Sequence, residues 1–151
     1  MWAVNRAQWL AGWYLSLYGP TPEELVTPPT WTELSYALGR ELEHLERHVI
    51  DGPHDAYEGR CAIFNGSRIL HALETRDTAL SKRAGGLWAL AHLSKEWHEV
   101  IRIANRTYDR DATAEEVERL VTAMAPFVAM VRTQVPQLED RTPGALPRWS
   151  V

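Results

Sequence analysis

Positive charges stand at a point in the sequence where a helix normally avoids them. Ser81 is a typical N-cap residue, so Lys82 and Arg83 fall in the first turn of a helix, where the helix dipole disfavours cations. A bound anion would compensate these charges, because the free N–H groups of a helix N-terminus attract anions as well. Gly85 and Gly86 weaken the helix but would let a ligand approach its first turn closely. The pattern therefore favours an anion-binding turn.

Two further residues fit the same chemistry. Arg68 lies on the side of a buried-looking helix that carries Phe64 and Leu73, and Tyr108 lies near the end of a later helix. Arg68 and Lys82 together would attract a negatively charged ligand, and the ring of Tyr108 would offer its face to a base. From spacing alone, three unrelated surface residues explain the pattern equally well.

Carboxylates are concentrated around the end of one predicted helix and the start of the next. Residues 41–58 contain six of them: Glu41, Glu43, Glu46, Asp51, Asp55 and Glu58. Such a group usually forms a solvated helix face. If several members converge in a cleft, they attract a cationic ligand such as a polyamine or an aminosugar.

Metal-ligating patterns are present but incomplete. His44 and His48 lie one helical turn apart, a spacing at which two histidines can share a zinc ion, and His54 follows. The break "DGP" leaves the third ligand undefined, so we interpret the histidines as surface residues and predict no metal site. Asp109 and Asp111 form a D-x-D pair in a turn rather than on a strand, and we interpret them as solvated.

Catalytic signatures are missing from the sequence. It contains no phosphate-cradling glycine loop before a helix, no nucleophile elbow and no HExxH motif. The arginine-to-histidine signature of a HEPN-type ribonuclease is not found cleanly either. We therefore predict no catalytic residue in this chain.

Composition limits the partners and the compartment. The chain of 151 residues has a formal net charge of -4, which argues against a nucleic-acid-binding face. No apolar run is long enough to span a membrane, so we expect neither nucleic acid nor a membrane as a partner. The single cysteine, Cys61, excludes an internal disulfide, and the expected location is cytoplasmic. The 7 tryptophans either fill the core or form an aromatic surface.

Helical periodicity dominates the chain, and no segment shows the alternation of a strand. Amphipathic stretches and capping boxes predict helices over 3–18, 30–50 and 54–74, and three more that begin at Ser81, Ser94 and Thr113. We therefore predict an all-α fold, an antiparallel bundle of five to six helices. The bundle covers residues 1–135, and a Pro-rich extended tail covers residues 136–151.

Four segments resemble a known family. They are "LYGPTPEEL" (17–25), "SRILHALET" (67–75), "SKRAGGLWALAHLSKEW" (81–97) and the ending from Ala104 to Tyr108. Their order resembles that of the C-terminal helical domain of aminoglycoside nucleotidyltransferases, of the streptomycin/spectinomycin adenylyltransferase type. In those enzymes an N-terminal nucleotidyltransferase domain supplies the magnesium ligands and the catalytic carboxylate. The helical domain closes the cleft on ATP and the aminoglycoside.

The resemblance implies a nucleotide site. By motif, Arg68 and Lys82 would contact the triphosphate, and Tyr108 would lie against the nucleotide. The ligand would be ATP with Mg²⁺, and no tightly bound cofactor is expected.

The resemblance also implies an aminoglycoside site. Asp55 and Glu58 match the acidic positions that hold the amino and hydroxyl groups of the drug. His54 and Tyr57 are neighbours of that segment and are included in the predicted site. The small-molecule partner would thus be a nucleotide or an aminosugar-like cation.

The pair Gly66-Ser67 lies in the middle of a predicted helix and not after a strand, so it does not form the Gly-Ser motif of a catalytic domain. We therefore predict a stand-alone ligand-binding helical domain that is not catalytic alone. It would offer half of a nucleotide/aminoglycoside site. Two alternatives stay open. In one, the chain is a fragment or subunit of an active aminoglycoside nucleotidyltransferase that confers antibiotic resistance, with a separate nucleotidyltransferase chain as partner. In the other, it has lost ligand binding and serves as a homodimerisation or protein-interaction module.

Overall fold

A computed structural model describes residues 2–52 and 54–140, with side chains as far as Val135. Within these ranges the chain forms helices and no strand, which confirms the predicted all-α fold. No helix there is both long and apolar enough to cross a membrane. The elements are α1 (Trp2–Leu10), α2 (Pro22–Leu25), α3 (Trp31–Ile50), α4 (Ala56–Thr75), α5 (Lys82–His92), a 3₁₀ turn (Lys95–Trp97), α6 (His98–Arg106) and α7 (Ala114–Asp140).

Helix α4 lies at the centre of the bundle and packs against α3, α5, α6 and α7. Two glycines bring α7 unusually close to it. A Cβ atom at Gly59 would lie 2.7 Å from Cβ of Leu120, and one at Gly66 would lie 2.9 Å from Cε1 of Phe127. The largest fully buried side chains around this contact are Phe64, Phe127, Leu42, Ile63, Ile69, Leu70, Ile101, Ile103, Leu120, Met124, Val131 and Val135.

Capping boxes start the helices where the sequence predicted them. At α3, the Glu33 N–H donates to Thr30 Oγ1 at 3.2 Å, and the Thr30 N–H donates to Glu33 Oε2 at 2.8 Å. The same reciprocal pair joins Thr113 and Glu116 before α7, at 3.3 and 3.0 Å. Each box satisfies N–H groups that the helix itself leaves free.

The predicted helix over 3–18 is too long. Gly12 adopts a φ of +87°, and its N–H donates to the carbonyl of Trp9 at 2.9 Å. The N–H of Trp13 donates to the carbonyl of Gln8, also at 2.9 Å. These two bonds form a Schellman motif, which ends a helix and requires a left-handed residue that glycine adopts without strain. The apolar residues beyond it are therefore not part of α1.

The other boundary of the bundle also differs from the prediction. Helix α7 runs as far as Asp140, the last described residue, so residues 136–140 are helical and not part of an extended tail. Residues 141–151 of the predicted tail lie outside the described residues. The short helix α2 raises the number of described α-helices to seven, against the five to six expected.

Helix α1 is attached to α3 through its own small apolar cluster. Ala3 packs there with Leu34 and Ala37, apart from the main core. Arg6 is only 9% exposed and donates to the carboxylate of Glu33. The ion pair and the cluster hold α1 across one end of α3.

Candidate functional site

A cavity of about 480 Å³ lies between α1, α3, α4 and α5. Arg68 and Lys82, the two cations predicted to share a ligand, both line it, and so does Tyr57. A larger depression of about 580 Å³ between α6 and α7 contains none of the predicted site residues. Further polar groups of the first cavity are Asn5, Gln8, Glu41, His44, His48, Asn65 and Thr78.

Arg68 reaches the cavity from α4 with part of its hydrogen-bonding capacity unused. Its Nε is buried and has no hydrogen-bond partner. Burial lowers the pKa of Arg68, while the nearby Glu41 carboxylate acts in the opposite direction. A guanidinium nevertheless stays charged at neutral pH. The cavity wall therefore carries a partly desolvated positive charge with a free donor.

The two glycines of α5 make room for the protein's own side chains. A Cβ at Gly85 would lie 2.8 Å from Cγ of Arg68. One at Gly86 would lie 2.7 Å from Oδ1 of Asn105. The prediction that a ligand approaches the helix backbone at this point is therefore wrong, because these side chains fill the space.

The two cations at the start of α5 have different surroundings. Nζ of Lys82 lies 3.4 Å from Sγ of Cys61 and 5.5 Å from the ring centroid of Tyr57. No carboxylate of the described residues forms an ion pair with it. Arg83, in contrast, forms an ion pair with Asp109 at 2.9 Å. Lys82 therefore has no carboxylate partner among the described residues, whereas Arg83 has one.

Tyr108 does not line the cavity. Its ring packs edge-on against Phe64, with centroids 5.7 Å apart, and the guanidinium of Arg83 lies 5.9 Å from its centroid. The side chain is still 45% exposed. A nucleotide held by Lys82 would have to extend across the first turn of α5 to reach it.

The four residues predicted for the aminoglycoside separate into two places. Tyr57 lines the cavity, whereas Asp55 and Glu58 form a capping box at the start of α4, with two hydrogen bonds of 3.0 Å. The Glu58 carboxylate also lies 3.1 Å from Nε2 of His48 and 3.4 Å from Nδ1 of His54. We call His48, His54 and Glu58 the α3–α4 cluster. His48 belongs to the cluster and to the cavity wall.

The sequence contains a local signal for the positions of Asp55, Glu58 and His54, but none for the approach of His48. The pattern D-x-x-E at Asp55 and Glu58 is a capping box, and it would have placed the start of α4 two residues after His54. The i,i+4 spacing of His54 and Glu58 also places them on one face. The approach of His48 depends on the direction of the turn after α3, and no local pattern predicts that direction.

The α3–α4 cluster and most of the cavity lining belong to a part of the chain that matches one protein family. The model of the family "Aminoglycoside adenylyltransferase, C-terminal domain" matches residues 27–134, which include every predicted site residue. The chain therefore belongs to this family. Comparison with curated proteins and with solved structures gave no match.

Proposed function

We propose that this helical domain binds a nucleoside triphosphate in the cavity and offers half of a nucleotide/aminoglycoside site. Arg68 and Lys82 bind the phosphates of ATP, which enters as its magnesium complex. The observation that carries the proposal is that both cations line one cavity, Arg68 with an unpartnered buried Nε and Lys82 without a described carboxylate partner. Phosphate oxygens supply the acceptors and the negative charge that these groups lack.

The aminosugar half of the site is proposed from the family and from the acidic residues near the cavity. Asp55 and Glu58 are the proposed contacts of its amino and hydroxyl groups, with His54 and Tyr57 beside them. Tyr57 connects the two halves, since it lines the cavity and faces Lys82.

We propose a binding role, not a catalytic one, for the domain by itself. Nucleotidyl transfer needs carboxylates that hold metal ions and activate the attacking hydroxyl. The D-x-D pair does not fit this role, because Asp109 is paired with Arg83 in an exposed turn. A nucleotidyltransferase domain that closes on the cavity would supply that chemistry.

Calorimetric titration with Mg-ATP tests the nucleotide site. Lys82→Ala should weaken binding about tenfold or more, because a hydrogen bond to a charged group contributes about 1.5–3 kcal/mol. Arg83→Ala is the matched control: it removes the same charge one residue away, and its affinity should stay within about threefold of wild type because Asp109 already pairs with Arg83. Equal affinities of wild type and Lys82→Ala, or no binding by wild type, would refute the proposal.

A second candidate function, self-association in place of ligand binding, is favoured by one surface. The segment after α1 exposes several large apolar side chains in succession. Monomers rarely expose apolar patches of this kind without a partner. Sedimentation equilibrium together with the ATP titration separates the two functions. The exposed fractions are 51% for Trp13, 42% for Tyr14, 86% for Leu15, 89% for Leu17 and 96% for Tyr18.

A further inference from the structure

We propose that the α3–α4 cluster is a zinc site with His48, His54 and Glu58 as ligands. Nε2 of His48, Nδ1 of His54 and a carboxylate oxygen of Glu58 all lie within 4.8 Å of one another. Two imidazoles and one carboxylate are a common set of protein ligands for Zn²⁺, with a fourth position left for water. Its ligands are not the residues proposed to bind the nucleotide phosphates. His54 and Glu58 are, however, shared with the proposed aminosugar contacts, so zinc and the aminosugar would compete for them.

The spacing of the donor atoms suits a tetrahedral ion. Zinc bonds of about 2.0–2.1 Å to nitrogen and oxygen place neighbouring ligand atoms roughly 3.3 Å apart. Glu58 Oε1 lies 3.1 Å from His48 Nε2, and Glu58 Oε2 lies 3.4 Å from His54 Nδ1. The carboxylate is thus at ligand spacing from each ring, through a different oxygen for each, and the two ring nitrogens lie within 4.8 Å of one another.

The hydrogen bond of His54 presents a lone pair to the cluster. Nε2 of His54 lies 3.0 Å from the carbonyl oxygen of Val49, which only accepts, so Nε2 carries the hydrogen. In the neutral ring Nδ1 is then unprotonated, and it is buried without a hydrogen-bond partner. A carbonyl bonded to the far nitrogen is the usual way in which a zinc-binding histidine is oriented.

The Nδ1 lone pair and the carboxylate repel each other unless a cation lies between them. Nδ1 of His54 and Oε2 of Glu58 are both acceptors at 3.4 Å. A metal ion satisfies both, together with the ring of His48. A proton on Nδ1 is the competing cation, and it would satisfy only the His54–Glu58 contact.

The carboxylate is already held in place. Glu58 Oε2 accepts the N–H of Asp55 at 3.0 Å through the capping box of α4. His48 lies in the last turn of α3, where the C-terminal end of the helix dipole favours positive charge. The exposed fractions of the His48 and Glu58 side chains are 39% and 25%, so the site is open to solvent on one side.

Titration of the chelator-treated chain with ZnCl₂ tests the site. One equivalent should bind, and Co²⁺ in its place should give the intense visible absorption of a tetrahedral centre. Glu58→Gln should weaken zinc binding about tenfold or more while circular dichroism stays unchanged, because glutamine at this position still completes a capping box. His48→Ala should have the same effect.

His44→Ala is the matched control, because His44 stacks on His48 with centroids 6.0 Å apart but lies outside the cluster. It should bind zinc as wild type does. Substoichiometric binding, or equal affinities of wild type and Glu58→Gln, would overturn the proposal. So would nitrogen chemical shifts that show a doubly protonated His54 at neutral pH in the presence of zinc.

Discussion

Glu116 has the most strongly lowered pKa of the described carboxylates. It accepts hydrogen bonds from Arg110 at 2.7 Å, from Arg106 at 2.8 Å and from the backbone N–H of Thr113 at 3.0 Å. The Arg110 bond is the main cause of the lowered pKa, followed by those of Arg106 and Thr113. This one side chain therefore joins the end of α6 to the start of α7.

The direction of this pKa shift predicts how the stability of the fold declines at acid pH. A carboxylate whose folded pKa lies below its unfolded value stabilises the fold above the unfolded pKa, and this contribution is lost as pH falls. Glu116→Gln should therefore lower the unfolding temperature at neutral pH and flatten its decline below about pH 4.5. Thermal unfolding followed by circular dichroism across this range measures both effects.

Glu115→Gln is the control for Glu116→Gln. Among the described residues Glu115 pairs only with Arg119, and both side chains are more than half exposed. Exposed pairs contribute little, so this variant should follow the wild-type curve. If the unfolding temperatures of wild type and Glu116→Gln fell in the same way at acid pH, the role assigned to Glu116 would be contradicted.

The contact of α4 with α7 is the most extensive one between the described elements, and Gly59 lets the two helices approach closely. A Cβ at this position would lie 2.7 Å from Leu120 Cβ and 3.2 Å from its backbone oxygen. Backbone cannot rotate away as the end of a flexible side chain can. The axis of α7 would have to move if this glycine were replaced.

Gly59→Ala should destabilise the protein even though alanine is the better helix former. Overpacking costs about 1–3 kcal/mol, against roughly 1 kcal/mol gained in helix propensity, so we expect a net loss of up to about 2 kcal/mol. Urea unfolding measures this change in the free energy of unfolding. Gly52→Ala, where the nearest described side-chain atom is 3.5 Å away, should change stability by less than about 0.5 kcal/mol. A Gly59→Ala variant as stable as wild type would show that the two helices separate freely.

The elements that sequence predicted well are those whose ends carry a local signal. Thr30 and Thr113 begin their helices with capping boxes, and both signals are complete within four residues. Helix α1 was predicted wrongly because the spacing of Trp9, Trp13 and Leu17 suggested one continuous stripe. Gly12 was the competing signal, and its Schellman bonds ended the helix before that stripe could form.

At the scale of the whole molecule, the shared position of Arg68 and Lys82 was predictable, since they come from consecutive helices that pack on each other. The separate position of Tyr108 was not, because it depends on how α6 crosses α4 and α5. The meeting of His48 with Glu58 was not predictable either. It arises from the turn between α3 and α4, whose path the residue types alone do not define.

The apolar segment after α1 also belongs to this scale. If it mediates dimerisation, replacing both Leu15 and Leu17 by alanine should raise the dimer dissociation constant about tenfold or more, because each buried leucine contributes about 1.5–3 kcal/mol. Leu87→Ala, which changes a leucine that is 60% exposed on α5, is the control and should leave it unchanged. Sedimentation equilibrium measures the dimer dissociation constants of both variants. A monomeric wild type would exclude this function.

The placement of α1 separates the shape of the cavity from the packing of the main core. The family match begins at residue 27, yet Val4, Asn5 and Gln8 of the preceding helix form one wall of the cavity. That helix rests on its own three-residue apolar cluster and the Arg6 ion pair, not on the main core. Substitutions of the cavity-lining residues of α1 would therefore change the dimensions of the cavity while leaving the main core intact.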